Sequence, residues 1–302
     1  MKKIFVPMKI TLLSLLSLVL LIAGCNKNDN NPQTFIQLQR IGSSEEAYAF
    51  QYNEDHLPAK IELYKSSDGA PVLDEYFTVS YENGAPVKAE YFNKRNGSFK
   101  LSTRYTFTTD TQKRITKALI KRFSSDGTEL PETIKRDYVF NNNGKLVKII
   151  FNEDQDNTWV LEYDANGNYK ESPYTNDQPT LKHTRTADYK YDNNINPFSV
   201  NGLGIMMMVA FDGDVFNADM LLSENNISSS KFVDTRIDYP GTQFQETTIE
   251  TKSITYANAF DANGGLQKID FSRNYKEEHQ NEVIRDDTYQ FSLNLTCIKK
   301  NR

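Results

Sequence analysis

Histidine, the commonest side chain in metal and acid-base chemistry, occurs here three times in 302 residues, as His56, His183 and His279. Zinc sites of the H-E-x-x-H kind need two imidazoles one helical turn apart, and no histidine here has such a partner. His279 and Glu282 are three apart, a useful spacing on a helix, but their polar surroundings read as a loop. Asp212-Gly213-Asp214 offers two carboxylates with no third ligand nearby, and reads as an acidic turn. Asn152 to Asn157 begins like a calcium loop, yet it lacks the glycine at the sixth position and has Tyr163 where the bidentate acid belongs. Gly202-Leu203-Gly204 opens like a dinucleotide fingerprint, but Met207 stands in place of the third glycine and no βαβ unit surrounds it. No G-x-S-x-G, P-loop or C-x-x-C occurs. The sequence therefore predicts no catalytic residue, no metal ligand and no cofactor. Two openings remain. Forty Asp plus Glu leave room for a glycosidase-like carboxylate pair without naming one. Trp159, the single tryptophan, is the aromatic to test for stacking on a sugar face.

Cysteine occurs twice. Cys297 has no partner in the chain and lies on the apolar side of an alternating run, which makes it a buried hydrophobe. Cys25 has different surroundings. Lys2, Lys3 and Lys9 precede an apolar run from Leu12 to Ile22, interrupted only by Ser14 and Ser17; as a helix it spans roughly 16 Å, about half a hydrocarbon core. That is a secretory signal rather than a permanent anchor. Ile22-Ala23-Gly24-Cys25 follows directly and resembles the lipobox of bacterial lipoproteins. The resemblance implies cleavage after residue 24, a diacylglyceryl thioether and an N-acyl chain on Cys25, and stable anchoring, since two or more chains hold where one does not. No Asp follows Cys25, which favours the outer membrane and leaves its face open. Cleavage removes three lysines and no acid, taking the net charge from −5 to −8, so nucleic acid is not an expected partner. Residues 25–34 carry no apolar periodicity and read as a tether with a reach of roughly 15 to 18 Å.

The rest, residues 35–302, reads as one β-rich domain. Seven segments share a pattern of an aromatic, two to four residues rich in Asn, Asp and Gly, and an alternating run with Lys. They begin at Tyr52, Tyr81, Phe107, Phe140, Tyr163, Tyr191 and Phe260, and each reads as a hairpin. Asn143-Gly144, Asn166-Gly167 and Asn263-Gly264 are expected to make tight two-residue reversals. The flanking runs alternate: Val87, Ala89 and Tyr91 toward a core, Lys88 and Glu90 toward water; Tyr289, Phe291, Leu293, Leu295 and Cys297 on one face of the last strand. Spacings of 23 to 33 residues between the first six aromatics exclude a strict solenoid and fit a meander.

These units, of which Phe260-Asp261-Ala262-Asn263-Gly264 is the fullest, resemble the YD repeat of Rhs-type proteins. They look like its degenerate form in Bacteroidota-type outer-membrane lipoproteins of unknown function, a family described as porin-like in fold; Asn196-Pro197-Phe198 and Asn225-Asn226-Ile227 fit the same pattern. The repeats are too few for the Rhs shell, so encapsulation is not implied.

A membrane barrel needs an apolar outer band about 25 Å tall. Here Lys88, Glu90, Lys117, Lys121 and Lys148 fall at strand centres, so the charged face meets water and the apolar face points inward. The expected fold is all-β: a soluble, strongly curved antiparallel meander or closed barrel of about 12 to 16 strands, with one or two short Met-rich helices within 202–222 packing on the sheet or lining an adaptable apolar pocket. The expected function is non-catalytic: an envelope domain held to the membrane through lipid on Cys25, binding a glycan or another envelope protein. The alternative is a lipid-anchored, carboxylate-dependent glycan hydrolase, which a concave acidic cluster with a raised pKa would favour.

Overall fold

In the computed structural model the described residues are 34–67, 69–171, 173–211, 218–262 and 265–301. Cys25 and the leader, Asp212-Gly213-Asp214 and Asn263-Gly264 lie outside them. The chain divides into Met1–Phe35 with Lys300–Arg302, and Ile36–Lys299; the second unit holds the architecture that follows.

The strands are β1 (Thr34–Gly42), β2 (Glu46–Tyr52), β3 (Pro58–Ser67), β4 (Ala70–Glu82), β5 (Ala85–Arg95), β6 (Ser98–Thr109), β7 (Ile115–Phe123), β8 (Glu129–Phe140) and β9 (Leu146–Phe151). They continue as β10 (Asp154–Val160), β11 (Glu162–Tyr163), β12 (Tyr169–Lys170), β13 (Tyr174–Gln178), β14 (Leu181–Ile195), β15 (Asn225–Asp238), β16 (Glu246–Phe260), β17 (Leu266–His279) and β18 (Glu282–Asn301). Sixteen form one sheet in the order β10 to β1, then β18 back to β13, while β11 and β12 pair separately. The meander is thus interrupted in the middle of the sequence, and β1 and β18 are neighbours inside the sheet. Of the two expected forms, the open sheet is the one observed: among the described residues β10 and β13 are its edges.

Alternation decides which face is inside. Phe50, Ile61, Phe77 and Tyr91 stand opposite one another across β2 to β5, and Ala89, Tyr105, Ile120 and Ile134 do so across β5 to β8. Most of these are buried, in one core that also takes Ile254, Ile269 and Leu295 from the far half of the sheet. One face therefore curls around a single core, each fully buried Phe or Ile adding about 1.5–3 kcal/mol. The other face is laced with ion pairs. Glu90 lies 2.9 Å from Arg104 and 3.3 Å from Lys88, Lys117 lies 3.5 Å from Asp137, and Lys121 lies 3.2 Å from Glu129. Charges at mid-strand make that face unlike the apolar band of a membrane barrel.

The repeated segments are turns held by their first residue. Asp110 Oδ1 accepts from the Gln112 and Arg114 amides, Asn141 Oδ1 from Asn143 and Lys145, and Asp164 Oδ1 from Asn166 and Asn168. These are five-residue turns, not the two-residue reversals expected. A type I′ turn needs positive φ at both central residues, and only the glycines of Asn143-Gly144 and Asn166-Gly167 have it (79° and 82°). True two-residue reversals occur at Asn83-Gly84 and Asn96-Gly97, where both residues do. The aromatic that opens most repeats sits at a register shift, seen at Tyr52, Tyr81, Phe140, Tyr191 and Phe260. Where it is tyrosine, its hydroxyl donates to a backbone carbonyl 14 to 23 residues earlier: Tyr52 to Leu38, Tyr81 to Pro58, Tyr163 to Leu146 and Tyr191 to Tyr169. The tyrosine thereby ties its strand end to an earlier strand.

The Met-rich stretch folds as expected into helices, Leu203–Phe211 and Ala218–Leu222, after a 3-10 turn, Pro197–Gly202. Asn196 caps that turn, accepting from the Phe198 amide and donating to the Met220 and Ser223 carbonyls, so the N-P-F motif fastens the 3-10 turn to the second helix. Met206, Met207, Met208 and Val209 are buried. A helix apolar on every side has to be enclosed. It sits by the repeat turns, since Asn201 Nδ2 donates to the His56 carbonyl and Lys145 pairs with Glu224.

Candidate functional site

Among the described residues, the concave face beside the helix Ala218–Leu222 is not filled. Strands β14 to β18, except the short β13 edge beside them, run 14 to 20 residues, longer than the helical layer covers. A cleft of about 290 Å³ opens there, walled by β16 to β18, the β1–β2 turn and the helix Ala218–Leu222.

Its floor is Asp219. This carboxylate is 2% exposed; Oδ1 accepts from the Met220 amide at 2.9 Å, and Oδ2 has no hydrogen-bond partner. Burial drives its pKa up to about 6 and Glu171 adds to the rise, against the pull of the Met220 amide and the Lys252 charge. The wall carries two cations. Lys252 lies beside the buried Phe232 ring, 5.6 Å from its centroid; burial, then the charges of Arg273 and Arg185, hold its ammonium below the ordinary range. Arg273 stands opposite Ile254 and its buried Nε has no acceptor. Arg185 Nε also lacks a hydrogen bond of good geometry but lies within ion-pair distance of Glu171, at 3.1 Å. Aromatic rings complete the wall. Phe271 and Phe291 face each other across β17 and β18 and stack at 4.4 Å and 7°, with Phe291 50% exposed. At the rim Glu46 accepts from the Tyr48 hydroxyl at 2.9 Å. The cleft combines an aromatic platform, two unpaired donors and an open acceptor, the mix of apolar wall and few polar groups typical of small-molecule sites.

None of these residues was singled out from the sequence. The signal was available at three positions: Asp219 is the lone acid of an apolar helix, and Lys252 and Arg273 occupy inward positions in alternating runs whose neighbours Ile254, Tyr256, Ile269 and Phe271 are core. Phe291, assigned to the core by alternation, faces inward but reaches past the packed layer.

The predicted candidates lie elsewhere. Trp159 sits on β10 opposite Ile149, half-buried against the core, with its indole bonded to Tyr169; it does not line the cleft. Cys297 packs on the core, and burial lifts its thiol to about 12. His279 and Glu282 are not in a loop: they pair across the two-residue turn between β17 and β18, because Gln280 and Asn281 both take positive φ. His183 lies 3.2 Å from Asp234. Asn152 and Glu153 form a turn whose side chains bond Lys135. Among the described residues no three His, Cys, Asp or Glu gather as a metal site, and no helix is long and apolar enough to cross a membrane.

No protein-family profile matches the sequence, and no curated protein does. Solved structures do. A porin-like protein from Bacteroides uniformis is 14% identical, with a TM-score of 0.46 over 87% of this chain and 96% of its own. A second porin-like protein, from Bacteroides vulgatus, is 10% identical, with a TM-score of 0.31 over 86% and 98%. A protein of unknown function from Bacteroides fragilis is 14% identical, with a TM-score of 0.29 over 45% and 94%.

Proposed function

We propose that the chain is a lipid-anchored protein of the cell envelope, at the outer membrane, whose curved sheet binds a small ligand of glycan type without transforming it. The observation that carries the binding reading is the cleft: Phe271 and Phe291 form a half-exposed ring stack beside polar groups that lack protein partners. Ring faces stack on the C–H faces of sugars, and buried donors left open stand ready for hydroxyl or charged groups. The envelope reading rests on the residues around Cys25. Its test is metabolic labelling with a palmitate analogue: wild type takes label and fractionates with membranes, Cys25→Ser does neither, and label persisting in the variant rejects the assignment. Thermal-shift screening against glycans tests binding; ligand at a hundred times its Kd adds about 2.7 kcal/mol.

A carboxylate-dependent glycan hydrolase is the second reading, favoured by one observation, the raised Asp219 pKa in a concave site, which is how a general acid is held protonated near neutrality. Glu46 is the other acid lining the cleft. Turnover of a bound glycan that Asp219→Asn abolishes would establish it, and binding without turnover leaves the first reading. A stacking role for Trp159 is a separate proposal: Trp159→Ala with unchanged glycan affinity rejects it.

A further inference from the structure

Lys252 and Arg273 are strand cations that line the cleft. On the outer face many cations meet carboxylates, as Lys88 and Arg104 meet Glu90, and the partly exposed Arg185 lies 3.1 Å from Glu171. Lys252 and Arg273 make no ion pair among the described residues, although Arg273 Nε is buried and Lys252 is pressed against Phe232. They are diagonal neighbours on β16 and β17, Lys252 standing opposite Tyr275 and Ile254 opposite Arg273, so both project from one face into one cleft. A half-buried cation without an ion pair is costly, and two side by side repel. The two acids that line the cleft, Asp219 and Glu46, make no ion pair with either cation among the described residues. Asp219 does not balance them: it lies beyond ion-pair distance of Lys252, is itself 2% exposed, and leaves Oδ2 without a donor.

We propose that the cleft takes an acidic saccharide, its carboxylate held between Lys252 and Arg273, a ring hydroxyl donating to Asp219 Oδ2 and the ring face resting on Phe291. Each open group then acquires a partner of the right kind: the cations an anion, the carboxylate a donor, the exposed half of the phenyl stack a C–H face. The volume has room for about one or two sugar rings. The proposal rests on the binding reading above and names its ligand class.

Calorimetric titration of the whole protein with digalacturonic acid, with the neutral disaccharide galactobiose, and with sodium sulfate separates the possibilities. Digalacturonic acid is expected to bind at least tenfold tighter than either of the others. Lys252→Met and Arg273→Met are each expected to lose tenfold or more, with melting temperatures unchanged or raised, while Lys88→Met on the outer face leaves affinity as it was. Galactobiose binding as tightly as digalacturonic acid, and insensitive to Lys252→Met, overturns the acidic ligand while leaving a glycan-binding site. Sulfate binding as tightly as the acidic sugar reduces the cleft to an anion site and overturns the saccharide. No binding of either disaccharide to folded protein overturns both this inference and the binding reading.

Discussion

Single atoms decide much of what holds the repeats together. The Tyr81 hydroxyl donates to the Pro58 carbonyl at 2.8 Å from a half-buried site, and burial lifts its pKa. Tyr81→Phe keeps the ring and removes the bond, leaving that carbonyl one partner short. Its urea midpoint is expected to fall by the equivalent of about 1 kcal/mol with an unchanged slope. Phe107, Phe140 and Phe260 occupy the same repeat position without a hydroxyl, so the ring supplies packing everywhere and the bond only at some turns. Asp219 acts in the opposite sense. Its folded pKa of about 6 exceeds the ordinary aspartate value of 3.8, so the folded state holds the proton more tightly than the unfolded chain. Its contribution is fully present below the unfolded pKa and is lost as pH rises from about 4 to 6, roughly 3 kcal/mol in all. Asp219→Asn is expected to remove that dependence, so the stability difference between wild type and variant grows from pH 4 to 7 in favour of the variant. A difference that stays constant across this range, measured by urea unfolding at both ends, contradicts the assignment. Such a gain on removing a charged group is what a site residue held for a ligand predicts.

Between elements, the contact of the two helices is set by one missing side chain. A Cβ built on Gly204 would stand 1.9 Å from the Leu221 carbonyl oxygen and 3.1 Å from that of Phe198; both are backbone atoms and neither can swing aside. Gly204→Ala is expected to separate the helix Leu203–Phe211 from Ala218–Leu222 and to cost about 1–3 kcal/mol or more, read as a lowered melting temperature. Because Asp219 lies on the second helix, the same variant should also weaken any ligand of the cleft. Substitution at Gly69, where a Cβ would meet nothing, is the control for packing, carrying only the strain of its φ of 79°. Of the two glycines with dinucleotide-like spacing, Gly204 thus has a packing meaning, while Gly202 has open space beside it and serves a φ of 73°. The five-residue turns have a similar logic. An Asp or Asn at the first position satisfies two amides, and a residue at positive φ closes the turn, glycine at 144 and 167 but His56 and Lys113 elsewhere.

Over the whole sheet, stability follows from order rather than from sequence position. Strands β16 and β17 are flanked on both sides, whereas β10 pairs only with β9 and β13 only with β14. Hydrogen exchange is expected to be fastest, among the strands, in peptides covering Asp154–Val160 and Tyr174–Gln178, and slowest in β16 and β17; protected edges would mean that β10 and β13 are covered. Much of this architecture was legible in the chain. Alternation is local, so inward Ala89 and Tyr91 and outward Lys88 and Glu90 could be read directly, as could a range of about 12 to 16 strands whose upper end the main sheet meets, the helices near 202–222 and the packing of Cys297. Turn geometry was read less well, because Asn-Gly signals a reversal whose length depends on whether an aspartate or asparagine ahead of it captures two amides. The cleft was not legible. Lys252, Arg273 and Asp219 are separated by 21 to 54 positions, and each alone is an ordinary charged residue. Strand register places the two cations side by side, and the helix set against the sheet brings the carboxylate beneath them. The sequence by itself determined which face of every strand is apolar, since that depends on neighbours two residues away. Only the tertiary structure decided where the packed layer stops and leaves charged inward positions open, because that depends on how far long strands overhang the helices that fill them.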